Sequence, residues 1–306
     1  MTEPGTPVVS FLVISGDNAA HLHECIQSIH AQSFVDWEIL LLDTGQHTEI
    51  SERAQIYCRE EPRIRHLLLP AANTEPDSFN HGVLQSRGDL VWIVSPADRL
   101  SSSQTLQEYV TQFMLNPKLG TIFCRVQYMD EDSQPYERYY PSKKNSDMPY
   151  YPTLYPGHEF FRQLLKGNFI PDSASIIRKI CIERADGFQA QLLGSSLWQN
   201  VLRCCLDWDV YFDPIPKVMV RRPRQIKEAE VVQATEETSE THLLSYRLLE
   251  EYLEDRGYPK HIRHQVQFAR LQFMRRQGLK MSLPERIMRF YRVLSESSLI
   301  KNPLAD

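Results

Sequence analysis

Four apolar runs separated by helical patterns constrain the fold of this 306-residue chain more than any other feature. Residues 8–15 (VVSFLVIS) read as a β-branched buried strand, and residues 37–43 (WEILLLD) form a continuous apolar run ending at Asp43. IRHLLL supplies a third, shorter strand and DLVWIV a fourth. Between the first two, Leu22, Cys25, Ile26 and Ile29 recur at i, i+3, i+4 and i+7, the spacing of one helix face. Residues 49–59 are polar and helix-compatible, and DSFNHGVLQSRG reads as a helix closed by Gly88. Strand alternating with helix predicts a mainly parallel sheet flanked by helices. In such sheets ligands bind outside the carboxyl ends of the strands. The turns at 15–18, 43–46 and 95–98 are therefore expected to share one rim.

Downstream, residues 106–115 read as a helix, and TIFCRVQYMDEDSQP as a strand and turn. Residues 135–157 hold several tyrosines and prolines without periodicity and are expected to be an extended loop. SLWQNVLRCCL is helical, and DWDVYFDPIPKVMVRR alternates like strands. From about Glu228 the chain becomes charged and helical, which predicts a sheet domain over 1–225 and a helical extension over 226–306. Within the extension, Ser282 suits a helix cap with Pro284 in the first turn. Ile287, Phe290, Tyr291 and Leu294 form an apolar stripe beside Arg286, Arg289 and Arg292. That pattern, over 282–298, suits an anionic membrane surface. It equally suits packing against the chain's own body or a partner helix, and a homo- or hetero-oligomer is an open reading.

Composition narrows the function classes. A net charge of −5 and a pI near 6.1 give no basic field, so nucleic acid is not expected as a partner. The N-terminal apolar run is too short for a signal-peptide core or a membrane span. The six cysteines lie in apolar segments without C-x-x-C spacing, which predicts free buried thiols. A cytoplasmic setting follows, peripheral at the inner face of the membrane if 282–298 binds lipid.

Five stretches, in order between Pro7 and about Arg222, resemble the family 2 glycosyltransferases. The segment from PVVSFLVISGDN to WEILLLDTG matches the family's opening strand, helix and "V-D-D-G-S" turn. NHGVLQSRGDLVWIVSPADRL is similar to "N-x-G-x-x-x-A-x-G-x-x-I-x-x-L-D-x-D-D-x-L". YMDEDSQ, LLKGNFIPDSASIIRK and DGFQ resemble the later hairpin, the "G-N-x-I-P" run and the "G-G-F-D" turn. The resemblance implies a GT-A-like mixed α/β fold and hexosyl-type transfer from a nucleotide diphosphate sugar. The acceptor it implies is a saccharide, in polysaccharide or glycoconjugate biosynthesis. Carried over residue by residue, it places Asp17, Asp43, Asn80 and Gly82 at the nucleotide, and Asn168 and Trp198 on the acceptor side.

Family members commonly hold Mn or Mg with a short-spaced cluster of acids, to neutralise the leaving diphosphate. Here that turn reads Val94-Ser95-Pro96-Ala97-Asp98-Arg99-Leu100, with Ser95 and Ala97 where acids stand in the family. Asp98 alone survives as a weak catalytic candidate; the usual metal ligands are absent, and no metal-ligating residue is assigned. The acid expected at the start of the following catalytic helix is Leu197, beside a retained Trp198. Losing a positioned base costs about 10²–10⁴-fold in rate. Pro223 stands in the place of a histidine that completes the family's metal site, and Gly16 in the place of a base-stacking tyrosine. The D-x-D of Asp207-Trp208-Asp209 is better read as solvent-facing carboxylates on a strand.

The resemblance therefore supports a glycosyltransferase-like protein whose conventional metal-dependent transfer site is weakened or lost. Two alternatives stand beside it: an active, metal-independent transferase using basic groups such as Arg99, and a non-catalytic binding or assembly partner of an active one.

Overall fold

The computed structural model describes residues 6–15, 18–45, 47–71, 73–141, 148–224 and 239–279. Each early apolar run becomes a strand. β1 (Val9–Ile14) lies between β2 (Trp37–Asp43) and β4 (Leu90–Ile93), parallel to both, and β3 (Ile64–Leu68) continues the parallel set beyond β2. Helices α1 (Ala19–His30), α2 (Thr48–Glu60) and α3 (Glu75–Gln85) make the crossovers. Both faces of these strands are covered, so apolar residues occupy both parities. Leu12, Leu40, Leu42, Val91 and Ile93 enter one hydrophobic cluster, and Phe11, Val13, Ile39, Leu41 and Trp92 enter the other. Local chemistry sets the helix starts. Asn18 Oδ1 accepts from the N–H groups of Ala20 and His21, and Thr74 with Asp77 forms a reciprocal capping box on α3.

The later half makes the sheet mixed. After α4 (Thr105–Leu115), β6 (Leu119–Met129) enters the centre. β9 (Ser175–Arg178) runs antiparallel to both β4 and β6, while β10 (Asp209–Arg221) is parallel to β6. The two-residue β5 (Arg99–Leu100) completes the order β3-β2-β1-β4-β9-β6-β10-β5. DWDVYFDPIPKVMVRR thus yields one strand, with a register break between Asp213 and Val218. Pro214 and Pro216 fall within that break and have no N–H for the ladder.

Residues 135–157, expected as a loop, contain β7 (Pro135–Tyr140), paired with β6, and β8 (Thr153–Tyr155), paired with β10. These short segments lack an apolar run of their own and owe their conformation to the strand beside them.

Helices α5 (Gly157–Leu164), α6 (Lys179–Arg184) and α7 (Ser196–Cys204) cover one face. Of two helices in the C-terminal extension, α8 (Ser239–Asp255) packs onto α7 and α9 (Lys260–Arg276) packs onto α8. The His242 ring lies 4.5 Å from Trp198 and stacks on Phe273 at 4.3 Å. Tyr246 donates its hydroxyl to the Leu165 carbonyl at 2.7 Å. Tyr246, Leu249, Leu253 and Val266 belong to the same cluster as Leu12 and Val91. The expected boundary at 225/226 and the arginine-flanked stripe of 282–298 lie outside the described residues. Among the described residues no helix is long and apolar enough to cross a membrane. All six cysteines are free thiols, five of them buried.

Candidate functional site

Chain direction places the site. β4 ends at Ile93, and the next residues form a tight turn in which the Asp98 N–H donates to the Ser95 carbonyl at 3.0 Å. The Ala97 N–H donates to Ser95 Oγ at 3.3 Å. Asp98 points inward and is buried, with one carboxylate oxygen accepting from Ser173 Oγ at 2.6 Å. Its other oxygen accepts from the Arg221 backbone N–H at 3.0 Å. Burial pushes the Asp98 carboxyl up, against the downward pull of Ser173 and Arg221. Ser173 in turn accepts from the Ser95 N–H at 2.9 Å. Asp98 therefore ties the turn to the Ile170–Ser173 stretch and to the end of β10.

Arg221 binds the same turn from behind. Its side chain donates to the carbonyls of Ala97 (3.2 Å), Asp130 (2.8 Å) and Glu131 (2.9 Å). It also donates to Glu24 at 3.2 Å and to Ser133 Oγ at 3.0 Å. Although partial burial works against it, Ser133 and Arg221 hold the Glu24 carboxyl below its ordinary value. One buried guanidinium thus joins α1, the turn after β4 and the β6–β7 hairpin.

The turn opens into a cleft of about 280 Å³ at the carboxyl ends of β1 and β4. Asp98, Asn168, Glu75, Tyr128, Asp172 and Arg222 are its polar wall. Asn168 Oδ1 accepts from the Ile170 N–H at 3.1 Å, and its carbonyl from the Tyr140 hydroxyl at 3.3 Å, which fixes the GNFIP bend. Glu75 stands in the first turn of α3; it keeps solvent contact within a concave wall, and desolvation raises its carboxyl.

The remaining expected residues fall into three groups. Asp43, at the end of β2, is buried and accepts from Ser51 Oγ (2.6 Å), the Gly45 N–H (2.8 Å) and Ser15 Oγ (3.0 Å). His66 Nε2 lies 2.8 Å from the same carboxylate. Burial opposes ionisation, but these partners hold the Asp43 carboxyl below its ordinary value. This network fixes the neighbouring loop of the rim. Asn80 and Gly82 sit on α3 in structural contacts. The Asn80 amide donates to the Phe188 carbonyl (2.7 Å) and accepts from the Phe188 N–H (2.8 Å). Gly187 precedes that contact at φ +67°, and any Cβ there would meet Asn80 Oδ1. Gly82 lets α3 approach the sheet, since a Cβ would sit about 3 Å from Leu12 and Leu42. Trp198 is in the core, its indole N–H donating to the Leu164 carbonyl at 3.2 Å. Asp17, with Gly16, lies outside the described residues. Of the expected set, Asp98 and Asn168 share the cleft. Asp209, from the D-x-D of the sequence, starts β10 and accepts from the Gly157 N–H at 3.0 Å.

The geometry does not fit the family's metal site. Ala97 offers a methyl, both Asp98 oxygens face protein donors, and Pro223 is exposed beyond β10. Among the described residues no group of three His, Cys, Asp or Glu side chains could hold a metal ion. Leu197 is buried in the α7 packing, away from solvent. Sequence reasoning missed Ser173, Glu75 and Arg222 as cleft residues. Ser173 stood in the resemblance run LLKGNFIPDSASIIRK and Arg222 beside Pro223, so motif context was the available signal.

Residues 10–184, more than half of the chain, match the family described as "Glycosyl transferase family 2". Over 130 residues the chain is 31% identical to the O-antigen biosynthesis protein RfbC of Myxococcus xanthus, covering 41% of this chain and 10% of that protein. Over 112 residues it is 30% identical to the uncharacterized glycosyltransferase EpsJ of Bacillus subtilis (strain 168), covering 36% of this chain and 32% of the relative. The chain thus spans a tenth to a third of the length of these curated relatives. Among solved structures, S. aureus TarS 1-349 in complex with UDP-GlcNAc is similar at a TM-score of 0.66 and 14% identity, with 92% of this chain and 78% of that one covered. The mannosyltransferase PcManGT from Pyrobaculum calidifontis, with GDP-Man and Mn2+, gives 0.56 at 14% identity, with 96% and 81% covered. At such identities the likeness shows the fold alone.

Proposed function

The chain belongs to glycosyl transferase family 2, and from that premise we propose that its cleft binds a nucleotide sugar while the conventional metal-dependent transfer site is lost. The observation that carries this reading is the state of Asp98, the surviving acid of the turn. Both of its oxygens are engaged by Ser173 and Arg221, and Ala97 precedes it. A cation would have to break that network to reach a lone carboxylate. The start of α7 supports the same reading, because Leu197 is packed in the core where the family places a base. The relatives named for O-antigen biosynthesis and as a glycosyltransferase favour a role in polysaccharide or glycoconjugate synthesis, with a saccharide acceptor.

Calorimetric titration of the full chain with a panel of nucleoside diphosphates, with and without manganese, tests the reading. Binding of at least one nucleotide that is indifferent to manganese is expected. Tight binding that depends on manganese overturns the lost-metal-site reading, and no binding under either condition overturns the nucleotide reading.

A second reading, metal-independent transfer, is favoured by Glu75, a solvent-accessible carboxylate on the cleft wall. A carboxylate facing the cleft is placed to take the proton of an acceptor hydroxyl. Sugar release to water or to a saccharide, present in the wild type and lost in Glu75→Gln with nucleotide binding intact, would establish it. A non-catalytic partner role is the outcome if neither protein releases sugar.

A further inference from the structure

If no cation neutralises a bound diphosphate, the positive charge must come from the chain itself. Three arginines gather where β6 and β10 end and β7 begins. Arg222, immediately after β10, lines the cleft. Its backbone is fixed, the N–H donating to the Met129 carbonyl at 2.8 Å and the carbonyl accepting from the Tyr136 hydroxyl at 3.0 Å. Among the described residues its guanidinium makes one hydrogen bond, from Nη1 to the Arg221 carbonyl at 3.0 Å. The charge of Arg138, on β7, acts on the Tyr136 hydroxyl. Arg224 lies 5.7 Å from the Tyr136 ring and pairs with Asp130 at 2.7 Å. The charges of Arg222 and Arg138 both act on Tyr128, which is itself a cleft residue.

The other basic groups near the turn are excluded by their direction. Arg221 is buried among the carbonyls of Ala97, Asp130 and Glu131. Arg99 donates to the Ser133 carbonyl and approaches Met219 Sδ, in a separate groove lined by Glu24 and Gln27. Asp98 feels the charge of Arg222 but makes no hydrogen bond with its guanidinium. Asp98 is buried with both oxygens engaged, and Glu75 and Asp172 stand on the α3 and Pro171 walls. Among the described residues Arg222 is thus the cation that lines the cleft, and Arg138 shares Tyr136 and Tyr128 with it.

We propose that Arg222, flanked by Arg138, is a diphosphate-binding site that takes the place of the family's divalent cation. A guanidinium offers paired N–H donors that match two phosphate oxygens, where a cation would offer coordination. The inference rests on the nucleotide-sugar reading of the cleft, so its test separates the two.

Equilibrium binding of inorganic pyrophosphate and of a nucleoside diphosphate panel is measured in EDTA for the full-length wild type, Arg222→Gln, Arg222→Lys and Arg99→Gln. Thermal melting of each variant checks folding. The wild type is expected to bind without metal, more weakly as salt rises. Arg222→Gln is expected to weaken binding by about 10–100-fold, the range for a lost charged hydrogen bond. Arg222→Lys keeps the charge but loses the paired donors, and should fall between; Arg99→Gln should match the wild type. Equal affinity of wild type and Arg222→Gln for a nucleoside diphosphate overturns the arginine site and leaves the nucleotide reading standing. Pyrophosphate binding that needs Arg222, with no nucleoside diphosphate bound, does the reverse. Loss of all wild-type binding in EDTA overturns the arginine site.

Discussion

The turn after β4 and the start of α7, the two places where the family resemblance implies acids, differ sharply in their surroundings. At the turn the polar architecture persists: Asp98, Ser173, Ser95 and Arg221 form a satisfied network on the wall of an open cleft. At α7 the position has been absorbed into packing. Leu197 and Trp198 are buried, His242 and Tyr246 close over the indole, and Phe273 stacks on His242. The first region presents a hydrogen-bonded polar network on a cleft wall, and the second is core. A single substitution can re-polarise the turn, but none can restore α7 without taking the core apart.

The largest expected effect tests that asymmetry directly. Leu197→Glu restores the family's residue type but buries a carboxylate with no designed partner, so it should cost about 3 kcal/mol or more of stability. Chemical denaturation measures this, and a Leu197→Glu protein with wild-type stability and new sugar transfer would break the comparison. Next in size, Asp98→Ala leaves Ser173 Oγ and the Arg221 N–H without their acceptor, at a cost of about 1–3 kcal/mol. Asp98→Asn should cost less, because an amide oxygen still accepts and the serine hydroxyl can exchange roles. Equal losses in the two variants would mean that charge, and not hydrogen bonding, holds the turn.

Ala97→Asp should be nearly silent, within about 0.5 kcal/mol, because Ala97 is half-buried beside the cleft. It should also confer no manganese-dependent nucleotide binding while Asp98 stays engaged. Acquisition of such binding would show the turn to be one residue from a metal site. The smallest effect concerns Glu75, whose folded-state carboxyl is raised by partial desolvation in the concave cleft wall while it keeps solvent contact. Its ionised form opposes folding above that raised value, and the penalty vanishes well below 4.5, where both states are protonated. Glu75→Gln should therefore raise the melting temperature slightly at neutral pH and leave it unchanged in acid.

The parallel half of the fold was legible because doubly covered strands leave uninterrupted apolar runs, as in WEILLLD and DLVWIV. β7 and β8 were not, since their conformation comes from β6 and β10 rather than from their own tyrosines and prolines. The site divides in the same way. Motif order located the Asp98 turn, but its partners Ser173 and Arg221 lie 75 and 123 residues away. No spacing rule connects them. Asn80 is a similar case, since its amide is matched to the backbone of Phe188, 108 residues later. Arg99 and Arg222 are equally basic in the sequence; only strand direction decides which of them faces the cleft.

The aromatic closure over Trp198 also bears on how the chain can be divided. Composition changes near residue 228, yet Tyr246, Leu249 and Leu253 complete a cluster that begins at Leu12. A polypeptide ending at 225 would present that face of α7 to water, an adhesive surface favouring self-association. Melting should therefore proceed in one cooperative step, with the helices of 239–276 and the sheet lost together. Two separate melting steps would instead make the compositional change near residue 228 a line along which the molecule comes apart.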